Sequence, residues 1–261
     1  MDSIINRIPK PVRTLTVLTF WVMVWQLVAV VIDEGIILPS PLEVAKRLVG
    51  LGSEKAFYET ILNSVYNIIS GFLTAVSIGV VLGIVTAKIR IADELLSPLL
   101  SIVKATPVAS FFILALYWID DKNSVPPFIA FLMVLPIIHG NVSEGLKSTP
   151  KELLEMAKVY RLSFTKRLTK LYFPSILPYF TAGIKISMGL AWKAGVAAEV
   201  IAYARNTIGF KILAGKNNLE MTDVFAWTVV LIAISVLLEK AVIILIGRLS
   251  ARKERREVSA R

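Results

Sequence analysis

The sequence has no cysteine and a single histidine, His139. Without cysteine there are no disulfides, thiolate nucleophiles, iron–sulfur clusters or cysteine-bound zinc, and one imidazole cannot build a His-rich metal site. No metal ligand set and no catalytic group is assigned to the chain. Charge is also scarce, at 18% of residues, while 56% are hydrophobic, above the roughly 45–50% of soluble domains. A mean hydropathy of +0.70 leaves no room for a large soluble domain beside the apolar runs. The 261 residues therefore read as one membrane domain, 1–261, whose residues 248–261 form a basic cytoplasmic tail.

Six apolar runs approach the roughly 20 residues that a spanning helix needs. They cover 15–32, 61–87, 95–118, 125–142, 176–202 and 224–247. The expected fold is all-α, a polytopic bundle of about six transmembrane helices. The first run follows Arg7, Lys10 and Arg13 but precedes Asp33-Glu34-Gly35, with no small-residue cleavage signal; it is expected to remain as a membrane anchor. With six spans, eighteen Lys and Arg fall on the side of the termini and seven on the other. The positive-inside rule then places both termini in the cytoplasm. That topology accounts for most of the net charge of +10, so no nucleic-acid partner is implied.

Two loops carry helix-start signals. Ser40-Pro41-Leu42-Glu43 has the form of a capping box with proline in the first turn, predicting a short external helix to about Val49. Thr149-Pro150-Lys151-Glu152 repeats the pattern on the cytoplasmic side. Beyond it, Leu153, Met156, Ala157 and Tyr160 make an apolar stripe at helical spacing, with Glu152, Glu155 and Lys158 largely off it. Such a helix either presents its stripe to a protein or lies on lipid headgroups, which Lys166, Arg167 and Lys170 also favour.

Charges within apolar runs cost about 2.5–3.5 kcal/mol at a helix centre on insertion scales, so each needs a reason. Lys104, Lys185, Lys193 and Glu199 are of this kind. They either line a route for an anionic solute or pair within the assembly. Asn63, Asn67, Ser70 and Thr74 share one face of the second run; interhelical hydrogen bonding is favoured over a wet path. Gly79 and Gly83 form a small-xxx-small motif, read as close packing or a dimer contact. His139 is read as an interface residue, and Pro107 and Pro136 predict kinks. Glu239-Lys240 is expected to snorkel.

The cytoplasmic loop holds Glu155-Met156-Ala157, then Arg161, then Leu171-Tyr172-Phe173-Pro174. This resembles the EAA motif of ABC-importer permeases, with Glu155, Ala157 and Pro174 matching. Met156 and Arg161 depart from it, Arg161 standing where the motif has a glycine that turns the chain. A non-glycine residue there is expected to be strained. Leu38-Pro39-Ser40-Pro41 is similar to the opening of the aliphatic sulfonate, taurine, nitrate and bicarbonate permease group. So are the stretch from Gly183 through Lys185 and Gly189 to Trp192, the pair Ala198-Glu199, and Ile208-Gly209. The resemblance runs from about residue 38 to 247, and fits less well where Asp120-Asp121-Lys122 replaces a glycine-containing turn.

The resemblance implies a multi-pass permease of a bacterial inner membrane, type I importer-like in fold. It implies a homodimer in lipid that docks two cytoplasmic ATP-binding subunits and receives solute from an external substrate-binding protein. Glu155, Met156, Ala157, Tyr160, Arg161, Leu171, Phe173 and Pro174 would form the ATPase-coupling surface. ATP and magnesium would sit in the partner; this chain would hold no cofactor. The group suggests a small anion such as sulfonate, nitrate or bicarbonate, although related permeases carry thiamine-pyrimidine precursors and other metabolites. Asn63, Asn67, Lys104, Lys185, Lys193 and Glu199 are the residues expected along the path. An ion-driven secondary transporter would instead use the intramembrane Lys and Glu for coupling. An intramembrane enzyme lacks a nucleophile–base pair, and Gly140 to Ser148 is no phosphate loop, because Leu146 separates Gly145 from Lys147.

Overall fold

A computed structural model describes residues 9–258. Eleven α-helices are present among the described residues, and no strand. We number them α1 (Lys10–Ile32), α2 (Pro41–Gly52), α3 (Lys55–Lys88), α4 (Arg90–Ala105), α5 (Val108–Trp118), α6 (Val125–Lys147), α7 (Lys151–Val159), α8 (Phe164–Arg167), α9 (Phe173–Ala202), α10 (Ile208–Asn217) and α11 (Met221–Val258). A π-helical turn, Leu168–Tyr172, joins α8 to α9. Residues 1–8 and 259–261, with Arg7 and Arg261 of the charge argument, lie outside the described residues.

Four of the expected spans appear as helices long and apolar enough to cross a membrane: Val12–Ile32, Lys55–Lys88, Lys122–Lys147 and Met221–Leu245. The expected third span, 95–118, is not one straight helix. It breaks at Thr106-Pro107 into α4 and α5, bent by 105°, because Pro107 has no N–H to continue the ladder and biases Thr106 to an extended conformation, ψ 129°. The fifth, α9, has 30 residues and ample length; it is less apolar than the four, carrying Lys185, Lys193 and Glu199. Pro136 sits inside α6 without ending it.

The chain forms two compact units. The first comprises the chain up to Thr60 with Lys211–Leu231. In it the capping box of α2 forms as expected: Ser40 Oγ accepts from the Glu43 amide, and the Glu43 carboxylate accepts from the Ser40 amide at 2.8 Å. That backbone hydrogen bond holds the Glu43 carboxyl below its usual range. Arg47 forms a two-point ion pair with Asp223 in the first turn of α11, its Nη2 donating to Oδ2 at 2.8 Å. Trp25 donates to the Pro39 carbonyl and stacks on Phe225.

The second unit comprises Ile61–Phe210 and the chain from Ile232. Lipid tails are as apolar as leucine, so helices in a membrane gain from close backbone approach rather than from escape from water. Glycine supplies that approach along α3 and α6. A β-carbon on Gly83 would stand 2.8 Å from Val142 Cβ and 2.9 Å from the His139 carbonyl, and one on Gly71 would overlap the Pro127 backbone. The Gly79/Gly83 motif is therefore a contact inside this chain. A third layer, α9, packs on α6, where a β-carbon on Gly145 would meet Ile176 Cα at 2.9 Å. Phe112 and Ala115 of α5 join Val125 and Ile129 of α6 and Ala194, Ala198 and Ala202 of α9 in one buried cluster.

Candidate functional site

The loop between α6 and α9, in the second unit, contains α7, α8 and the π turn. The second capping box does not form: Pro150 occupies the cap position, without a side-chain cap. The Thr149 hydroxyl turns back to donate to the Leu146 carbonyl at 2.9 Å. Ala157 is fully buried and seats α7, while Met156 is 44% and Tyr160 74% exposed, with Glu155 open beside them. The apolar stripe is thus only partly covered by the chain itself. Arg161 adopts φ 47°, the left-handed conformation expected to need glycine. Two bonds close the turn there: the Leu162 amide donates to the Ala157 carbonyl at 2.9 Å, and Arg167 Nε donates to the Leu162 carbonyl at 3.0 Å. Leu171 is buried, Phe173 is half exposed and Pro174 lies in the first turn of α9.

Sequence reading passed over Lys88 except as a cytoplasmic charge. Its ammonium lies 5.3 Å from the Phe164 ring centre and 5.2 Å from that of Tyr172, within cation–π reach of both. Phe164 opens α8 and Tyr172 closes the π turn, so the last residue of α3 touches both ends of the loop's second half.

At the other end of α9, Glu199 is completely buried. One carboxylate oxygen accepts from Ser64 Oγ at 3.0 Å and from the Gly209 amide at 2.9 Å. Ser64 in turn accepts from the Ile208 amide at 2.8 Å. Glu199 Oε1 and Trp192 Nε1 are buried without a hydrogen-bond partner among the described residues. The corner between α9 and α10 takes positive φ at Tyr203 and Asn206, and Asn63 Nδ2 donates to the Asn206 carbonyl at 3.1 Å. Glu199, expected along the path, is placed here in a closed corner, bonded to Ser64 and Gly209. Ser64, its partner, lies next to the Asn63 stripe and was missed because 135 residues separate the pair.

The stripe on α3 divides. Asn63 bonds across to the corner, but Ser70 donates to the Asn67 carbonyl and Thr74 to that of Ser70, within their own helix. Lys185 and Lys193 are exposed on one face of α9, with open space beside Gly189 between them. Lys104 is exposed on α4, and its Nζ approaches Gly140 of α6. His139 is buried and shares a 2.9 Å hydrogen bond with Thr86 Oγ1. No cluster of His, Asp or Glu that could hold a metal occurs among the described residues.

Several apolar helices long enough to cross a membrane, packed through glycines and carrying lysines on an open face, are those of a multi-pass membrane protein. Residues 79–256 match the family described as binding-protein-dependent transport system inner membrane component, and the chain belongs to it: it is an ABC-importer permease. Such systems also contain ATP-binding and substrate-binding proteins. The chain is 25% identical over 241 residues to the nitrate import permease protein NrtB of Synechocystis, covering 89% of this chain and 86% of that one. It is 27% identical to the bicarbonate transport system permease protein CmpB of Synechococcus elongatus, over 73% of this chain and 69% of the other. To the aliphatic sulfonates transport permease protein SsuC of Bacillus subtilis, a name given as tentative, identity is 23% over 80% of this chain and 76% of the other.

Proposed function

We propose that this chain forms, with a second copy, the solute path of an importer for a small anion. It is coupled to two cytoplasmic ATPases through α7. The observation that carries the reading is the half-covered stripe of α7: Ala157 anchors the helix while Met156 and Tyr160 stay exposed, with Glu155 and Arg161 at the rim. An apolar patch with charged edges suits a protein groove, because the charges fix orientation and the apolar side chains supply the contact. Lys185 and Lys193 support an anionic solute, since side chains that cost this much in a membrane belong on a cavity. The names of the relatives point the same way, to nitrate, bicarbonate and sulfonates.

In this mechanism ATP draws the two ATPases together and displaces the loop from Glu155 to Pro174. The paired helices rock, the cavity turns from the cytoplasm to the outside to receive solute from the binding protein, and hydrolysis resets it. Both termini lie in the cytoplasm, with the corner at residues 203–207 outside.

The test is Glu155→Lys in the complex reconstituted with its ATPase and binding protein. Charge reversal at the rim is expected to abolish substrate-stimulated ATP hydrolysis while leaving the helical content of the membrane domain unchanged. Unaltered stimulation would count against α7 as the docking element. Native mass spectrometry of the gently solubilised complex should show two permeases with two ATPases; a chain that transports alone in liposomes would favour the secondary transporter.

A further inference from the structure

The loop is continuous in sequence with α6 and α9, so any displacement reaches those helices directly. Helix α3 has no such continuity; it is tied to α6 by close packing at Gly79 and Gly83 and by the Thr86–His139 hydrogen bond. Beside these contacts a half-open apolar pocket of about 250 Å³ lies among α3, α6, the π turn and α9, lined by Val80, Ile84, Val142, Leu168, Phe173 and Ile176. A direct contact of α3 with the second half of the loop is made by Lys88, held against Phe164 and Tyr172. At the other end of the same helix Ser64 and Asn63 hold the corner after α9. The 24 positions from residue 64 to residue 88 amount to about 36 Å of helix, the span of a bilayer core.

We propose that Lys88 is a positioning residue for transport: by clamping the two rings it makes α3 move with the loop, so that loop displacement reaches the Ser64–Glu199 lock at the external corner. The inference rests on the docking of an ATPase at α7. Lysine suits the task because its ammonium can sit between two ring faces on a flexible stem. Arginine would hold the rings at least as well, whereas methionine keeps the stem and loses the charge.

The experiment compares wild type, Lys88→Met, Lys88→Arg and Phe164→Leu in proteoliposomes containing the whole complex, with nitrate, bicarbonate and a short alkylsulfonate as probes. Three quantities are read: ATPase retained on the purified permease, ATP hydrolysed, and solute accumulated per ATP. Expected for Lys88→Met is full retention of the ATPase with a fall of about fivefold in solute per ATP, the scale of two cation–π contacts. Lys88→Arg should restore the ratio, and Phe164→Leu should show a smaller loss that is not additive with Lys88→Met. A residue that only supports folding would lower the amount of complex and leave the ratio alone. A wild-type ratio in Lys88→Met overturns the clamp while leaving α7 docking intact. A wild-type chain that retains no ATPase removes the docking reading and the clamp with it. Should Lys88→Met fail to assemble, Phe164→Leu decides by the same ratio, and an unchanged value there overturns the clamp.

Discussion

The two ends of α9 are built on opposite plans. At the corner after its C-terminus a carboxylate is fully buried, and Ser64, Ile208 and Gly209 converge on it and on one another. At the N-terminal end, α7 buries Ala157 but leaves Met156, Val159 and Tyr160 open, and its turn is closed mainly by backbone bonds. The corner completes its polar contacts within one chain, apart from one oxygen. The loop leaves part of its apolar stripe uncovered by the chain itself. Stability should accordingly reside in the corner and the helix contacts, and coupling in the loop.

The largest loss of stability is expected for Glu199→Ala, which strips the acceptor from the Ser64 hydroxyl and the Gly209 amide. Leaving two buried donors unpaired costs about 3 kcal/mol, read as a lower thermal midpoint in detergent, with Glu199→Gln losing less. A midpoint unmoved by alanine would mean that the corner is no lock. Gly71→Ala comes next, since its new β-carbon overlaps the Pro127 backbone; overpacking of this kind costs about 2 kcal/mol. Arg161→Gly should act in the other direction. Releasing a left-handed arginine at φ 47° is expected to raise the midpoint by the equivalent of about 1 kcal/mol, and a lower midpoint would show the turn to be unstrained. The smallest effect on stability belongs to Tyr160→Ser, within about 0.5 kcal/mol as at other exposed sites. The same change should weaken ATPase retention on the purified permease; equal retention would remove Tyr160 from the docking face.

Sequence reading reached these two ends unequally. The loop was legible because its stripe, its motif spacing and the glycine position held by Arg161 are local patterns within some twenty residues. The four apolar spans were legible for the same reason. Ser40 and Thr149 open nearly identical tetrapeptides, yet only Ser40 caps its helix, because Thr149 follows α6 directly and its hydroxyl is taken by the Leu146 carbonyl. Pro107 announced a kink, but its size depends on where α5 finds packing, which the local sequence does not state. Glu199 was noticed only as a costly charge. Its role came from Ser64 on another helix, a pairing that no periodicity encodes, and Lys88 likewise acquires meaning only when Phe164 and Tyr172 are folded against it.

The bend between α4 and α5 bears on how the protein is made. With 16 and 11 residues, the two limbs reach only about 24 and 16 Å, so neither can cross a bilayer of about 30 Å by itself. The landing site for Phe112 and Ala115 includes Ala194, Ala198 and Ala202, which leave the ribosome some eighty residues later. At roughly 5–20 residues per second, α9 follows α5 by several seconds, whereas Val125 and Ile129 of α6 follow almost at once. The order of the chain thus makes α9 the last helix to complete this buried cluster, on a pair of limbs that α6 reaches first.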